Sequence, residues 1–192
     1  MRINKLFVGL GLIAAGVISR IWLRGFLPAA PHFYIHLANA SYPIFMIDMF
    51  FVVAILSLIA GRYLGKYGFA VPVTIMAITD FYFGGGAILL FTWTGFMLIA
   101  LIGNSTKERG FVTYLGSGFL SVVAYDIWTN FGSWLAWYPH NLNGLLLCYT
   151  VAIPFMLWHL VSTMIALPVA SIPFEYIKHH VMEKKDVAAA RA

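Results

Sequence analysis

The sequence predicts an all-α integral membrane protein, a bundle of six transmembrane helices with both termini in the cytoplasm. Of its 192 residues, 61% are hydrophobic and only 10% are charged, whereas an average soluble domain carries about 25% charged residues. The mean hydropathy is +0.86, and separate apolar runs follow one another along the chain. This composition excludes a disordered chain, a coiled coil and an ordinary water-soluble domain.

Each predicted span is an apolar run. The first run follows two basic residues but continues through Leu23, so we interpret it as an uncleaved span rather than a signal peptide. The third run is short, about 22 Å of helix, and ends in three glycines that predict a tight turn. The runs cover residues 6–19, 43–60, 69–83, 87–102, 111–137 and 144–170.

The basic residues predict the orientation of these spans. If the N-terminus lies inside, ten of the twelve Lys and Arg residues fall on the inner side, and only Arg20 and Arg24 lie outside. This distribution follows the positive-inside rule. It also explains the excess of basic residues by topology, so nucleic acid is not an expected partner, whereas the lipid bilayer of the cell membrane is.

The chain is predicted to divide into a transmembrane domain, residues 1–170, and a cytoplasmic tail, residues 171–192. Ser171 is a residue type that N-caps helices, and the basic, periodically apolar tail is typical of a short amphipathic helix at the membrane surface. A solvated tail beyond Val181 is the alternative. The one cysteine, Cys148, lies in an apolar run, so neither a disulfide nor a cysteine-based metal site is expected.

Four ionisable residues fall in the outer half of the predicted bundle, on different spans: Arg20, Asp48, Asp80 and Asp126. An ionisable residue within a span is costly, and it indicates a functional site by default. The outer turn between the last two spans adds further polar and aromatic side chains. These are Trp128, Asn130, Trp134, His140 and Asn143.

This mixture of aromatic rings and polar anchors predicts a small-molecule site that opens outward. Each element has a simpler alternative that stays open: Arg20 could snorkel to the outer headgroups, and Asp48 could bond only to neighbouring helices. Asp80 or Asp126 could serve only as a structural partner of Arg20, and the tryptophans could form an aromatic belt at the membrane surface.

The first span carries small residues four apart, at Gly11, Ala15 and Ser19. Such a face lets another helix approach closely. The sequence leaves open whether that helix belongs to this bundle or to a partner subunit.

Several segments carry a resemblance to known proteins. They are residues 78–84 (ITDFYFG), 129–135 (TNFGSWL), 138–145 (YPHNLNGL), 148–149 and 152–155. With six short spans and an outward pocket, the chain resembles the S component of energy-coupling factor (ECF) transporters. More specifically, it is similar to a family of small S-component-like membrane proteins with no assigned function. The resemblance runs from the first span to Phe155.

This resemblance implies a substrate-capturing subunit for a vitamin or another micronutrient, without naming the ligand. It also implies a membrane coupling subunit and ATPases as partners, with Gly11, Ala15 and Ser19 at the contact. The chain has no Walker A motif and cannot itself hydrolyse ATP.

Two other functions are weighed against capture. A two-aspartate intramembrane protease is disfavoured, because Asp80 does not stand in a Gly-x-Gly-Asp context. A structural subunit of a larger membrane complex is the stronger rival.

Overall fold

The computed structural model of the protein describes residues 5–26, 33–37, 40–45, 48–84 and 86–189. Six α-helices, one hairpin and two short 3₁₀ turns make up the regular structure of this part of the chain. The helices and strands, in chain order, are α1 (Lys5–Leu23), β1 (Phe33–Leu37), β2 (Ala40–Phe45), α2 (Phe50–Leu64), α3 (Ala70–Phe83), α4 (Leu89–Ser105), α5 (Phe111–Trp137) and α6 (Leu142–Ala189).

Four helical segments are long and apolar enough to cross a membrane: Lys5–Phe26, Phe50–Tyr67, Phe111–Trp137 and Leu142–Lys178. Helices α3 and α4 are also apolar but have only 14 and 17 residues, or about 21 and 26 Å. A helix therefore stands at each predicted span, and four of the six have the length and composition of a membrane span.

Helix α2 lies at the centre of the bundle, in contact with each of the other five helices. Two glycines allow α2 to approach α4 closely. A Cβ atom added at Gly61 would overlap the Ala100 carbonyl oxygen, and a Cβ atom added at Gly103 would overlap the Leu58 carbonyl oxygen. Helix α1 is peripheral, and only Leu12 and Gly16 are buried on it. Its Gly16 packs against Ile75 and Leu56.

The predicted start of the second span, at Pro43, is wrong. Residues 40–45 form strand β2, which pairs antiparallel with β1, and the helix begins at Phe50. A continuous apolar run does not by itself distinguish a strand from a helix. Asp48 consequently precedes the helix instead of lying inside it.

The predicted break before the tail is also absent. Helix α6 runs through Ser171, which is fully buried and shares a hydrogen bond of 3.1 Å with the Tyr114 hydroxyl group. Phe174 packs on the ring of Tyr63 at 5.3 Å. Ser171 is therefore not an N-cap, and the first turn of the tail belongs to the bundle. The amphipathic face predicted beyond Lys178 lies outside the described side chains.

Candidate functional site

One cavity of about 410 Å³ lies where the six helices converge. Every helix contributes to its wall, at the C-terminal ends of α1 and α3, the N-terminal ends of α2 and α4, and the middle of α5 and α6. The lining side chains include Arg20, Asp48, Phe50, Asp80, Thr92, Phe96, Tyr125 and His159.

An ion pair forms one wall of the cavity. The guanidinium Nη1 of Arg20 donates to Asp80 Oδ1 at 2.7 Å and also to the Thr79 hydroxyl group. The other carboxylate oxygen of Asp80 accepts a hydrogen bond of 2.7 Å from the indole Nε1 of Trp93. Both oxygens of this carboxylate thus have donors from neighbouring helices, which offsets the cost of burying its charge.

A histidine between two carboxylates forms the opposite wall. Nδ1 of His159 lies 2.5 Å from Asp126 Oδ1, and Nε2 lies 2.9 Å from Asp48 Oδ2. An imidazole ring donates from both nitrogens only when it is protonated, so this geometry suits an imidazolium ion held by two carboxylates. The bridge ties α6 to α5 and to the segment before α2.

Two further hydrogen bonds position Asp48, one from a backbone amide and one from an indole group. Its Oδ1 accepts a hydrogen bond of 2.9 Å from the Phe50 amide, and its carbonyl oxygen accepts one of 2.9 Å from the Trp158 indole. The carboxylate satisfies an amide at the start of α2, as side chains do at helix N-termini. This local arrangement directs the remaining carboxylate oxygen to His159.

Three aromatic rings pack together at the base of the cavity. The ring centroids of Phe50 and Phe96 are 5.6 Å apart, and Tyr125 lies 4.6 and 4.7 Å from them. Phe50 also stacks on His159 at 4.0 Å. Gly95 permits the Tyr125 position, because a Cβ atom there would collide with the tyrosine ring.

The turn between α3 and α4 forms the rim. Gly84 ends α3 with a φ of 76°, a conformation that favours glycine. The short connection predicted from the glycine run is confirmed, since α4 begins at Leu89. Gly84, Gly86 and Ile88 all line the cavity, and the two glycines are exposed.

The structure brings together only part of the predicted site. Arg20, Asp48 and Asp80 line the cavity, and Asp126 lies behind His159 with 1% of its surface exposed. Asp80, rather than Asp126, is the partner of Arg20.

The predicted site residues in the C-terminal half of α5 and shortly after it do not line this cavity. Trp128 bonds to Thr94, Asn130 to the Asp126 carbonyl, Trp134 to the Pro139 carbonyl and His140 to the Leu135 carbonyl, while Asn143 is exposed. The structure therefore does not bring these five side chains together with the acidic residues at this cavity. Sequence depth along a helix does not say which face a residue occupies.

Among the lining side chains named above, five were not predicted as site residues: Phe50, Thr92, Phe96, Tyr125 and His159. The two carboxylate partners of His159 were not foreseen, because a lone histidine on an apolar helix does not show which helices it faces. Phe50 and Phe96 resemble the other apolar residues of the chain, whereas the Tyr125-Asp126 pair places an aromatic ring next to an acid within an apolar run. That pair is the signal in the sequence that could have indicated this aromatic cluster.

The small residues of α1 divide between two faces. Gly11 and Ala15 are exposed and Ser19 is half-buried, whereas Gly16 is buried against α2 and α3. A Cβ atom at Gly11 would meet no atom within 4 Å among the described residues. Gly11 and Ala15 of the predicted ladder are therefore not used to pack α1 against the described part of this bundle.

A second polar cluster lies toward the other end of α2, and the sequence analysis did not predict it. Arg62 is 2% exposed, and its Nε donates to Glu175 Oε1 at 2.6 Å. Its Nη1 and Nη2 donate to the carbonyl oxygens of Thr106 and Arg109. Arg62 therefore connects α2 to α6 and to the segment between α4 and α5 through hydrogen bonds of its buried side chain, and its charge is not exposed in a loop.

Among the described residues, no group of three or more His, Cys, Asp or Glu side chains is arranged to hold a metal ion. The model of one protein family, described as "Family of unknown function (DUF6580)", matches residues 2–186. No curated protein and no solved structure matches the chain.

Proposed function

The chain belongs to a family of unknown function, DUF6580, and we propose from its site that it is a substrate-binding membrane subunit. In this role it captures a small nutrient or vitamin-like molecule from the outer face for uptake, as the resemblance to ECF S components implies. The observation that carries the proposal is the cavity of about 410 Å³, to which every helix contributes a side chain. Small-molecule sites occupy about 300–1,000 Å³ and combine apolar walls with a few polar anchors.

The proposed topology has six spans and cytoplasmic termini. Helices α3 and α4 cross as short spans beside the four longer segments, and ten of the twelve basic residues then lie inside. In that orientation the cavity opens to the outer face, because it lies at the C-terminal end of α1 and the N-terminal end of α2.

Energy for uptake would come from partners. The small, exposed residues Gly11 and Ala15, with Ser19, provide a face on α1 that a coupling subunit could approach closely. ATPases bound to that subunit would hydrolyse ATP, because this chain has no Walker A motif.

One observation favours a structural subunit of a larger complex as the second candidate. The charged groups around the cavity already have partners inside the chain, in the Arg20–Asp80 pair and the Asp48–His159–Asp126 bridge. A network that only ties helices together would be satisfied in the same way.

Native mass spectrometry of the purified full chain distinguishes the two functions. We expect a small molecule to co-purify with the wild-type protein and to be lost from Thr92→Phe, because the larger side chain fills the cavity. Leu90→Phe is the control, since Leu90 is exposed on the same helix. A wild-type protein that carries no small molecule but holds large subunits would contradict capture, and so would a ligand retained equally by both variants.

A further inference from the structure

The charged groups around the cavity do not balance. Within the described part of the chain, three carboxylates, those of Asp48, Asp80 and Asp126, meet the two basic side chains of Arg20 and His159. Arg20 and Asp80 cancel each other in their salt bridge of 2.7 Å. One proton shared by Asp126 and His159 neutralises that pair whichever of the two holds it, so one negative charge remains.

The remaining charge lies on the Asp48–His159–Asp126 bridge, and Asp48 is the most accessible carboxylate of that bridge. The Asp48 side chain is 37% exposed, against 7% for Asp80 and 2% for Asp126. The nearby cation Arg24 does not line the cavity, and its guanidinium group lies 4.3 Å from the Phe83 ring centroid. Asp48 is therefore the group that a ligand's charge would meet.

The aromatic base of the cavity attracts the same sign of charge. Phe50, Phe96 and Tyr125 all line the cavity and are nearly buried. The faces of aromatic rings are electron-rich and bind ammonium groups, most strongly where water is excluded. An anion would meet the Asp48 carboxylate, while the guanidinium group of Arg20 is already paired with Asp80.

We propose that the cavity takes a small organic monocation, whose ammonium group lies against Asp48 and whose apolar body packs on Phe50, Phe96 and Tyr125. This inference rests on the proposed capture function, and it names the charge class of the substrate.

Three probes of similar shape test the charge class: benzylammonium, benzyl alcohol and benzoate. Each is titrated by calorimetry into the full-length protein in nanodiscs of uncharged lipid. We expect benzylammonium to bind about tenfold more tightly than benzyl alcohol, because the attraction of a positive charge to a nearby carboxylate contributes about that much. Benzoate should bind most weakly. This comparison uses the wild-type protein and does not depend on a variant that folds.

Asp48→Asn then identifies the residue. The amide keeps the shape and can still accept from the Phe50 amide, so benzylammonium should lose about tenfold in affinity while benzyl alcohol is unchanged. Glu108→Gln is the matched control, because it removes one negative charge at an exposed position outside the cavity. It should bind all three probes as the wild type does.

Three results would overturn the inference. If benzoate binds as tightly as benzylammonium, the cavity takes ligands of another charge and only the monocation is rejected. If Asp48→Asn binds benzylammonium with wild-type affinity, the assignment to Asp48 is rejected. If no probe binds saturably, the monocation is rejected as well, and the capture function is judged separately by whether a molecule co-purifies with the chain.

Discussion

At the scale of single residues, the buried charged side chains are held in ion pairs between different helices. The sequence predicts that Arg20 and Asp80 reach a similar depth, and the structure joins them at 2.7 Å. It does not predict that His159 bridges Asp126 and Asp48, because a lone histidine on an apolar helix carries no sign of which neighbouring helices it faces. Depth follows from position along a helix, whereas facing follows from tertiary packing.

Arg62 provides a test of stability at this scale. Replacing it in Arg62→Met leaves Glu175 without this ion pair and removes the guanidinium donors from two backbone carbonyl groups. Breaking a buried pair from one side costs about 3–5 kcal/mol. The free energy of unfolding, measured in detergent by denaturant titration, should therefore fall by about that amount.

Lys66→Met is the matched control for Arg62→Met. Lys66 is exposed in the 3₁₀ turn Gly65–Tyr67, directly after α2, so this variant also removes one positive charge but breaks no buried pair. Its free energy of unfolding should stay within about 0.5 kcal/mol of the wild-type value, as is usual for surface substitutions. Equal stabilities for the two variants would contradict the structural role of Arg62.

At the scale of elements, the helices were predictable where an apolar run ended at a clear signal. The structure has helix α5 at Phe111–Trp137, as predicted, and α3 ends at Phe83 before the glycine turn. The predicted start of α2 was wrong, because the hairpin strand β2 and the helix share one apolar run in the sequence. The continuation of α6 past Ser171 depends on burial against Tyr114, which no local pattern reveals.

Helix α1 gives the prediction that belongs to this scale, with two neighbouring residues on opposite faces. Ala15→Leu adds bulk to the exposed face, so it should block co-purification of a partner subunit from native membranes while the isolated protein stays folded. Gly16→Leu adds bulk against Ile75 and Leu56, so it should lower the melting temperature of the isolated protein. If Ala15→Leu recovers as much of the partner subunits as the wild type does, the proposal that this face of α1 contacts a partner is wrong.

At the scale of the whole molecule, six helices meet at one cavity, and this convergence is the basis of the functional account. The sequence predicted the number of helices and a shared depth for the ionisable residues. It did not predict which aromatic residues line the site, since Phe50, Phe96 and Tyr125 differ from other apolar residues only in the face they occupy. Trp128 and Trp134 were expected in the site and instead bond to Thr94 and to the Pro139 carbonyl.

Cysteine accessibility in intact cells tests most directly the central claim that the cavity opens to the outer face. Thr92→Cys places a thiol in the cavity and Ser105→Cys places one at the other end of the same helix, both in a Cys148→Ala background. A membrane-impermeant thiol reagent should label position 92 in intact cells, and position 105 only in inverted vesicles. Labelling of position 92 only in inverted vesicles would show that the cavity opens to the cytoplasm and would contradict an outward-facing site.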